Sequence, residues 1–76
     1  MCLALPGRIT RLFVDEFGQS SAYVDYDGIG KVVNAAFIPE ANVGDYAIVH
    51  AGFAITVLNE AEARASLHAF AGDEKL

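Results

Sequence analysis

Tryptophan is absent from these 76 residues, proline occurs only twice and cysteine only once. A lone cysteine excludes an internal disulfide, and secreted domains of this length commonly carry several bridges, so a reducing compartment is expected. Cations are scarce: five Lys and Arg against ten Asp and Glu leave a formal charge of −5, which repels phosphate backbones and argues against nucleic-acid binding. Also missing is any apolar run near the ~18 residues that span a bilayer. The start, Met1 to Gly7, lacks both a basic region and a long apolar region. A cytoplasmic protein without membrane insertion is the expectation. One cysteine with two histidines cannot close a four-ligand structural metal site, so any metal must be shared with a partner or bring its own ligands. A thiol hydrolase would need Cys, His and an orienting group around a cleft, for which so small a chain leaves little room, and no enzyme is expected.

What is present suffices for one compact core. Hydrophobic residues make up 54% and aromatics 11% of the chain, too rich for disorder. A single domain over 1–76 is expected, burying roughly 60% of the surface its unfolded form exposes. Pro6-Gly7 punctuates an extended N-terminal arm, residues 1–7. A barrel is then expected over 8–58. Arg8 to Val14 alternates imperfectly, with Ile9, Leu12 and Phe13 among polar residues, and Gly18-Gln19-Ser20 breaks the run. Ala22, Val24 and Tyr26 share one face of a second strand, and Asp27-Gly28 is a strong hairpin signal. A third strand is expected over Lys31–Phe37, a loop over Pro39–Gly44, a fourth strand over Tyr46–Ala51 and a fifth over Phe53–Leu58. Asn59 with Glu62 reads as a capping box opening a C-terminal helix over 59–72, with Ala63, Leu67 and Phe70 on one face and Gly72 as the stop. The fold class is therefore mainly β: a small five-stranded OB-like barrel with a C-terminal α-helix and an extended N-terminal arm, an SH3-like barrel having a similar signature.

Two side chains stand out for chemistry. The Cys2 thiol lies beside the chain terminus, and if Met1 is removed the α-ammonium sits on the same residue. A neighbouring positive charge favours thiolate, which is both nucleophile and metal ligand, and Arg8 can add to this. The plain alternative is a cysteine that merely packs. His50 shares a strand face with Tyr46 and Ile48; imidazole suits iron and other transition metals, and the plain alternative is a half-buried histidine satisfied by one hydrogen bond. His68, beside the apolar stripe of the helix, reads as a surface residue. Glu60, Glu62, Asp73 and Glu74 read as a solvated acidic surface, the first two favourably placed near a helix N-terminus.

Met1-Cys2-Leu3-Ala4-Leu5-Pro6-Gly7-Arg8-Ile9, with Val43-Gly44-Asp45-Tyr46 through His50-Ala51-Gly52-Phe53-Ala54 later in the chain, resembles the two hallmark segments of the HypC/HybG/HupF nickel-iron hydrogenase maturation chaperones. The matching positions cover about a third of the chain, in the expected order, and residues 15–42 carry nothing diagnostic. The resemblance implies a chaperone whose arm, Cys2, Leu3, Ala4, Leu5, Pro6 and Gly7, enters a cleft of the larger partner HypD. It implies that iron carrying cyanide and carbon monoxide ligands is held transiently between Cys2 and a HypD cysteine, with His50 as a further candidate to orient the thiol or touch the iron. The iron is then delivered to the precursor of the hydrogenase large subunit. A monomer is expected when free. A single soft donor suits such cargo, because weak denticity keeps the metal transferable. The competing readings are a generic OB or SH3-like adaptor with an incidental Cys2, and a redox-sensing thiol, which would lack a resolving cysteine.

Overall fold

The computed structural model describes residues 5–65. Its strands are β1 (Pro6–Val14), β2 (Ser20–Tyr26), β3 (Ile29–Asn34), β4 (Tyr46–His50) and β5 (Phe53–Leu58), followed by a helix, α1, over residues 60–65. They close in the order β1-β2-β3-β5-β4, with β4 returning to β1. Every pairing is antiparallel except β3 with β5, which meet in parallel at Asn34 and Phe53 alone. This is the expected mainly β, five-stranded barrel.

The interior is narrow because its side chains are small. Ile9, Ala22, Val24, Val33, Ala35, Ile38, Ala47 and Ala54 form the buried cluster, and alanine at half of these positions lets the strands approach closely. The imperfect alternation of the first strand has a local cause. Ile9 pairs with Val24 and Arg11 with Tyr23, so Thr10 has no partner opposite and forms a bulge. Its hydroxyl donates to the Tyr23 carbonyl at 3.2 Å, and the bulge shifts the register so that Leu12, itself exposed, pairs with buried Ala22. A second bulge at Ile55, between Ala54 paired with Val49 and Thr56 paired with Ile48, turns Ala54 and Val57 inward together.

Two-residue hairpins join β2 to β3 and β4 to β5, and both put positive φ at both central residues: Asp27 (53°) with Gly28 (95°), and Ala51 (53°) with Gly52 (84°). That is the I′ pattern whose twist matches paired strands. The Asp25 carboxylate reinforces the first hairpin by accepting from the Gly28 N–H at 3.1 Å. The capping box at Asn59 forms as expected: the Asn59 N–H donates to the Glu62 carboxylate at 2.9 Å, and the Glu62 N–H donates to the Asn59 side-chain oxygen at 2.8 Å. Ala63 is buried, while Leu67, His68, Phe70, Gly72, Asp73 and Glu74 lie outside the described residues.

Four strand boundaries differ from the sequence expectation, one of them the start of β3, which begins at Ile29 rather than Lys31, directly after the Asp27-Gly28 turn. β1 begins at Pro6, so Pro6 and Gly7 belong to the barrel wall rather than to an arm over 1–7. Pro6 needs no ladder donor at the first position of a strand, and Gly7 fits where no side chain would. β3 stops at Asn34 instead of Phe37, because the Asn34 side-chain oxygen accepts from the Ala36 N–H at 2.8 Å and turns the chain. Ala35 and Ile38 then enter the core from a loop. β4 ends at His50, since Ala51 is committed to the turn.

Candidate functional site

One end of the barrel gathers the segments that the sequence singled out. Pro6, Gly7 and Arg8 lie opposite Ile48, Ala47 and Tyr46, so the start of β1 runs against the end of β4, two residues from His50. The β2–β3 and β4–β5 hairpins sit at this same end, because β2 and β4 both run antiparallel to β1.

The first segment is locked by contact with an aromatic ring. A Cβ on Gly7 would fall on Cγ1 of fully buried Val24 and 2.7 Å from Cζ of Tyr26, so the Tyr26 ring packs against bare backbone. Partial burial raises the Tyr26 phenol above its ordinary pKa, keeping it neutral and able to donate. Pro6 and Gly7 are buried, and Leu5 is exposed at 42%. Cys2, Leu3 and Ala4 lie outside the described residues. Cys2 precedes Pro6 by four residues, so its reach from the end of β1 is at most about 14 Å of extended chain.

The second segment has a structural job in its first half. The Asn42 N–H donates to the Asp45 carboxylate at 2.9 Å, while the Asp45 N–H donates to the Asn42 carbonyl at 3.0 Å. Gly44, at φ 99°, makes this turn possible. The Ile9 N–H then donates to the Asp45 carbonyl at 2.8 Å, and the Gly44 N–H to the Ile9 carbonyl at 2.9 Å, which staples the start of β4 onto β1. Val43-Gly44-Asp45 therefore sets the register that brings Pro6 to Ile48.

His50 is exposed, unlike the half-buried, hydrogen-bonded histidine of the plain alternative, and among the described residues its ring has no hydrogen-bond partner. It precedes Ala51, a non-glycine residue held in the left-handed region. Such strain is often kept where a site needs a fixed geometry. No group of three or more His, Cys, Asp or Glu that could hold a metal ion exists among the described residues. Beside the start of β1 lies a depression of about 610 Å³ bounded by Leu5, Arg8, Asp25, Tyr26, Asp27 and Tyr46. A second, of about 540 Å³, lies on the other side of Tyr26, under β3. Sequence reasoning missed the Gly7–Tyr26 contact and this second depression. Gly30, a glycine inside a strand, signals a separate close approach: a Cβ there would strike the Tyr23 ring, with Cζ at 2.7 Å. Among the described residues no helix is long and apolar enough to cross a membrane.

Residues 1–70 match the sequence profile of the HupF/HypC family, a span that takes in both segments. A hydrogenase maturation factor HypC from Synechocystis sp. is 43% identical over 68 residues, 88% of this chain and 90% of its own. A HypC from Cupriavidus necator is 41% identical over 76 residues, all of this chain and 80% of its own. The hydrogenase maturation factor HybG of Escherichia coli is 40% identical over 73 residues, covering 91% and 87%. With a profile match over most of its length and relatives at this identity, the chain belongs to the HupF/HypC family of hydrogenase maturation factors.

Proposed function

We propose that this protein is a non-enzymatic carrier for the iron centre of a nickel-iron hydrogenase. In this reading Cys2 supplies one thiolate to iron bearing cyanide and carbon monoxide, HypD supplies another, and the protein then delivers the cargo to the large-subunit precursor. One observation carries the reading: β1 and β4 pair so that the chain leading back to Cys2 starts beside the strand that ends in exposed His50. The two segments that mark the family are thereby brought to one end of the barrel.

The chemistry fits a carrier. Thiolate is a soft donor suited to low-spin iron with strong-field carbon ligands, and one donor per protein leaves the metal free to move on. An exposed imidazole on the strand that pairs with the start of β1 is suited to orient such a thiol or accept its proton. The closed barrel supplies a rigid base, and Leu5 begins the part of the chain that reaches the partner.

The test is anaerobic co-purification of the tagged protein from hydrogenase-producing cells, with iron analysis and infrared spectroscopy of the cyanide and carbonyl stretches. Bands in that region, present with HypD or the precursor and lost in Cys2→Ser, are expected. Cys2→Ser that folds normally and still supports full hydrogenase maturation would sink the assignment.

A further inference from the structure

The barrel is closed in topology but has one open seam. β3 meets β5 only at Asn34, so Ile29 to Val33 overhang the β4–β5 turn with no strand beside them among the described residues. Which backbone groups face that seam follows from the register. A two-residue hairpin makes Tyr26 and Ile29 a hydrogen-bonded pair, and bonded pairs alternate along an antiparallel ladder. Ile29, Lys31 and Val33 therefore bond to β2, and Gly30, Val32 and Asn34 point away. Two hydrogen bonds fix the phase: the Ala35 N–H donates back to the Ser20 carbonyl at 2.8 Å, and the Asn34 N–H donates outward to the Gly52 carbonyl at 2.9 Å. The N–H and C=O of Gly30 and Val32 are thus, among the described residues, unpaired donors and acceptors on a sheet edge. Neither proline, a bulge nor a covering element blunts that edge among the described residues.

Beneath the edge is the 540 Å³ depression, bounded by Tyr26, Ile29, Lys31, Val33, Val49 and Gly52. Lys31 lies directly across from buried Val24 and so belongs to the inner face, yet it is exposed because the overhang leaves that face uncovered. Among the described residues the only ion pair joins Arg64 to Glu60, so the Lys31 ammonium stands over an apolar groove without a carboxylate.

We infer that this edge takes an extended peptide segment of another protein by strand addition, with a carboxylate of that segment opposite Lys31. The added strand would bond to Gly30 and Val32, set its acidic side chain into the groove, and place apolar residues two positions to either side, toward Ile29 and toward Val33 with Val49. The favoured motif is apolar-x-acid-x-apolar. A second copy of this chain is the poorer occupant. The two-fold antiparallel register that uses both free residues pairs Gly30 with Val32 of the other copy and sets Lys31 against its own counterpart, between molecules each carrying −5.

The inference needs no particular partner and is tested on the intact chain with a displayed library of random linear peptides. The expected result is enrichment of the apolar-x-acid-x-apolar pattern, with exchange protection of the Gly30 and Val32 amides by NMR when a selected peptide binds. Val32→Pro deletes an outward N–H that no bond among the described residues uses, and it should weaken binding roughly tenfold or more, the scale of a lost hydrogen bond. Lys31→Glu, which leaves the backbone intact, should do likewise and shift selection toward basic residues. Failure to enrich any sequence, or binding that survives Lys31→Glu without protection at Gly30 and Val32, would overturn it. So would amide protection that grows with the protein's own concentration in the absence of peptide, which would make the edge a self-association site.

Discussion

Gly7→Ala offers a sign test of the barrel's tightest contact. The φ of Gly7 is outside the left-handed region, so the backbone itself would accept alanine. Replacing glycine at such a position normally stabilises by about 0.4–1 kcal/mol through the unfolded chain. Here the new methyl would land on Val24 Cγ1 and within 2.7 and 2.9 Å of two Tyr26 ring atoms. Overpacking of this kind costs about 1–3 kcal/mol. Val24 is fully buried, and Gly7 is itself paired with core Ala47, so neither side can retreat cheaply. The net is a loss of about 1–2 kcal/mol, which for a domain this small lowers Tm by about 5–15 °C. Chemical denaturation should show a lower midpoint at unchanged slope. In the background of Val24→Ala, which removes the colliding methyl, part of the penalty should vanish, giving a coupling of about 1 kcal/mol. A Gly7→Ala protein as stable as the parent or more so would refute the reasoning. The wall would then have space, and Gly7 would owe its presence to something other than Tyr26 and Val24.

Three further outcomes are expected. Ala51→Asn, which suits the left-handed conformation of the β4–β5 turn, should stabilise by about 0.5–1 kcal/mol in thermal melts, and a loss of stability would show that the Ala51 methyl makes an unrecognised contact. Burial raises the Tyr26 pKa in the folded state, so its contribution is fully present below the unfolded tyrosine value of about 10 and is lost as pH rises through the higher folded value; Tyr26→Phe should flatten this alkaline decline and remove a late-titrating component from the phenolate absorbance. His50→Ala removes an exposed ring without a bonding partner among the described residues, so stability should change by no more than about 0.5 kcal/mol while delivery of iron to the hydrogenase precursor falls; a large drop in Tm would assign His50 a packing role.

Much of the architecture was legible because local chemistry dictates it. Asp27-Gly28 can form only a few turns, Asn59 and Glu62 cap each other across one helical turn, and Phe53–Leu58 carries the β-branched run of a strand. Strand count and class followed from these. The strand ends were less legible where a side chain's partner is distant in sequence. Pro6-Gly7 reads as punctuation until Ile48, Ala47 and the Tyr26 ring are known to lie against it. Asn34 reads as mid-strand until its side chain is seen turning the backbone.

The candidate site divides in the same way. Residue type alone nominated Cys2 as a soft donor and His50 as a neutral-pH imidazole, and the order of the two segments along the chain pointed to the family. The shared end of the barrel is a tertiary result. It depends on the β1–β4 register, which rests on hydrogen bonds from Ile9 to Asp45 and from Gly44 to Ile9 across more than thirty residues of sequence. The free edge of β3 is likewise invisible in sequence, since Ile29–Asn34 reads like any interior strand. Only the shear of the closed barrel, which lets β5 meet β3 at its last residue, leaves Gly30 and Val32 without partners among the described residues. Composition and local turn chemistry thus determined the elements and the reactive groups, whereas long-range hydrogen-bond register decided which of them meet and which backbone is left open.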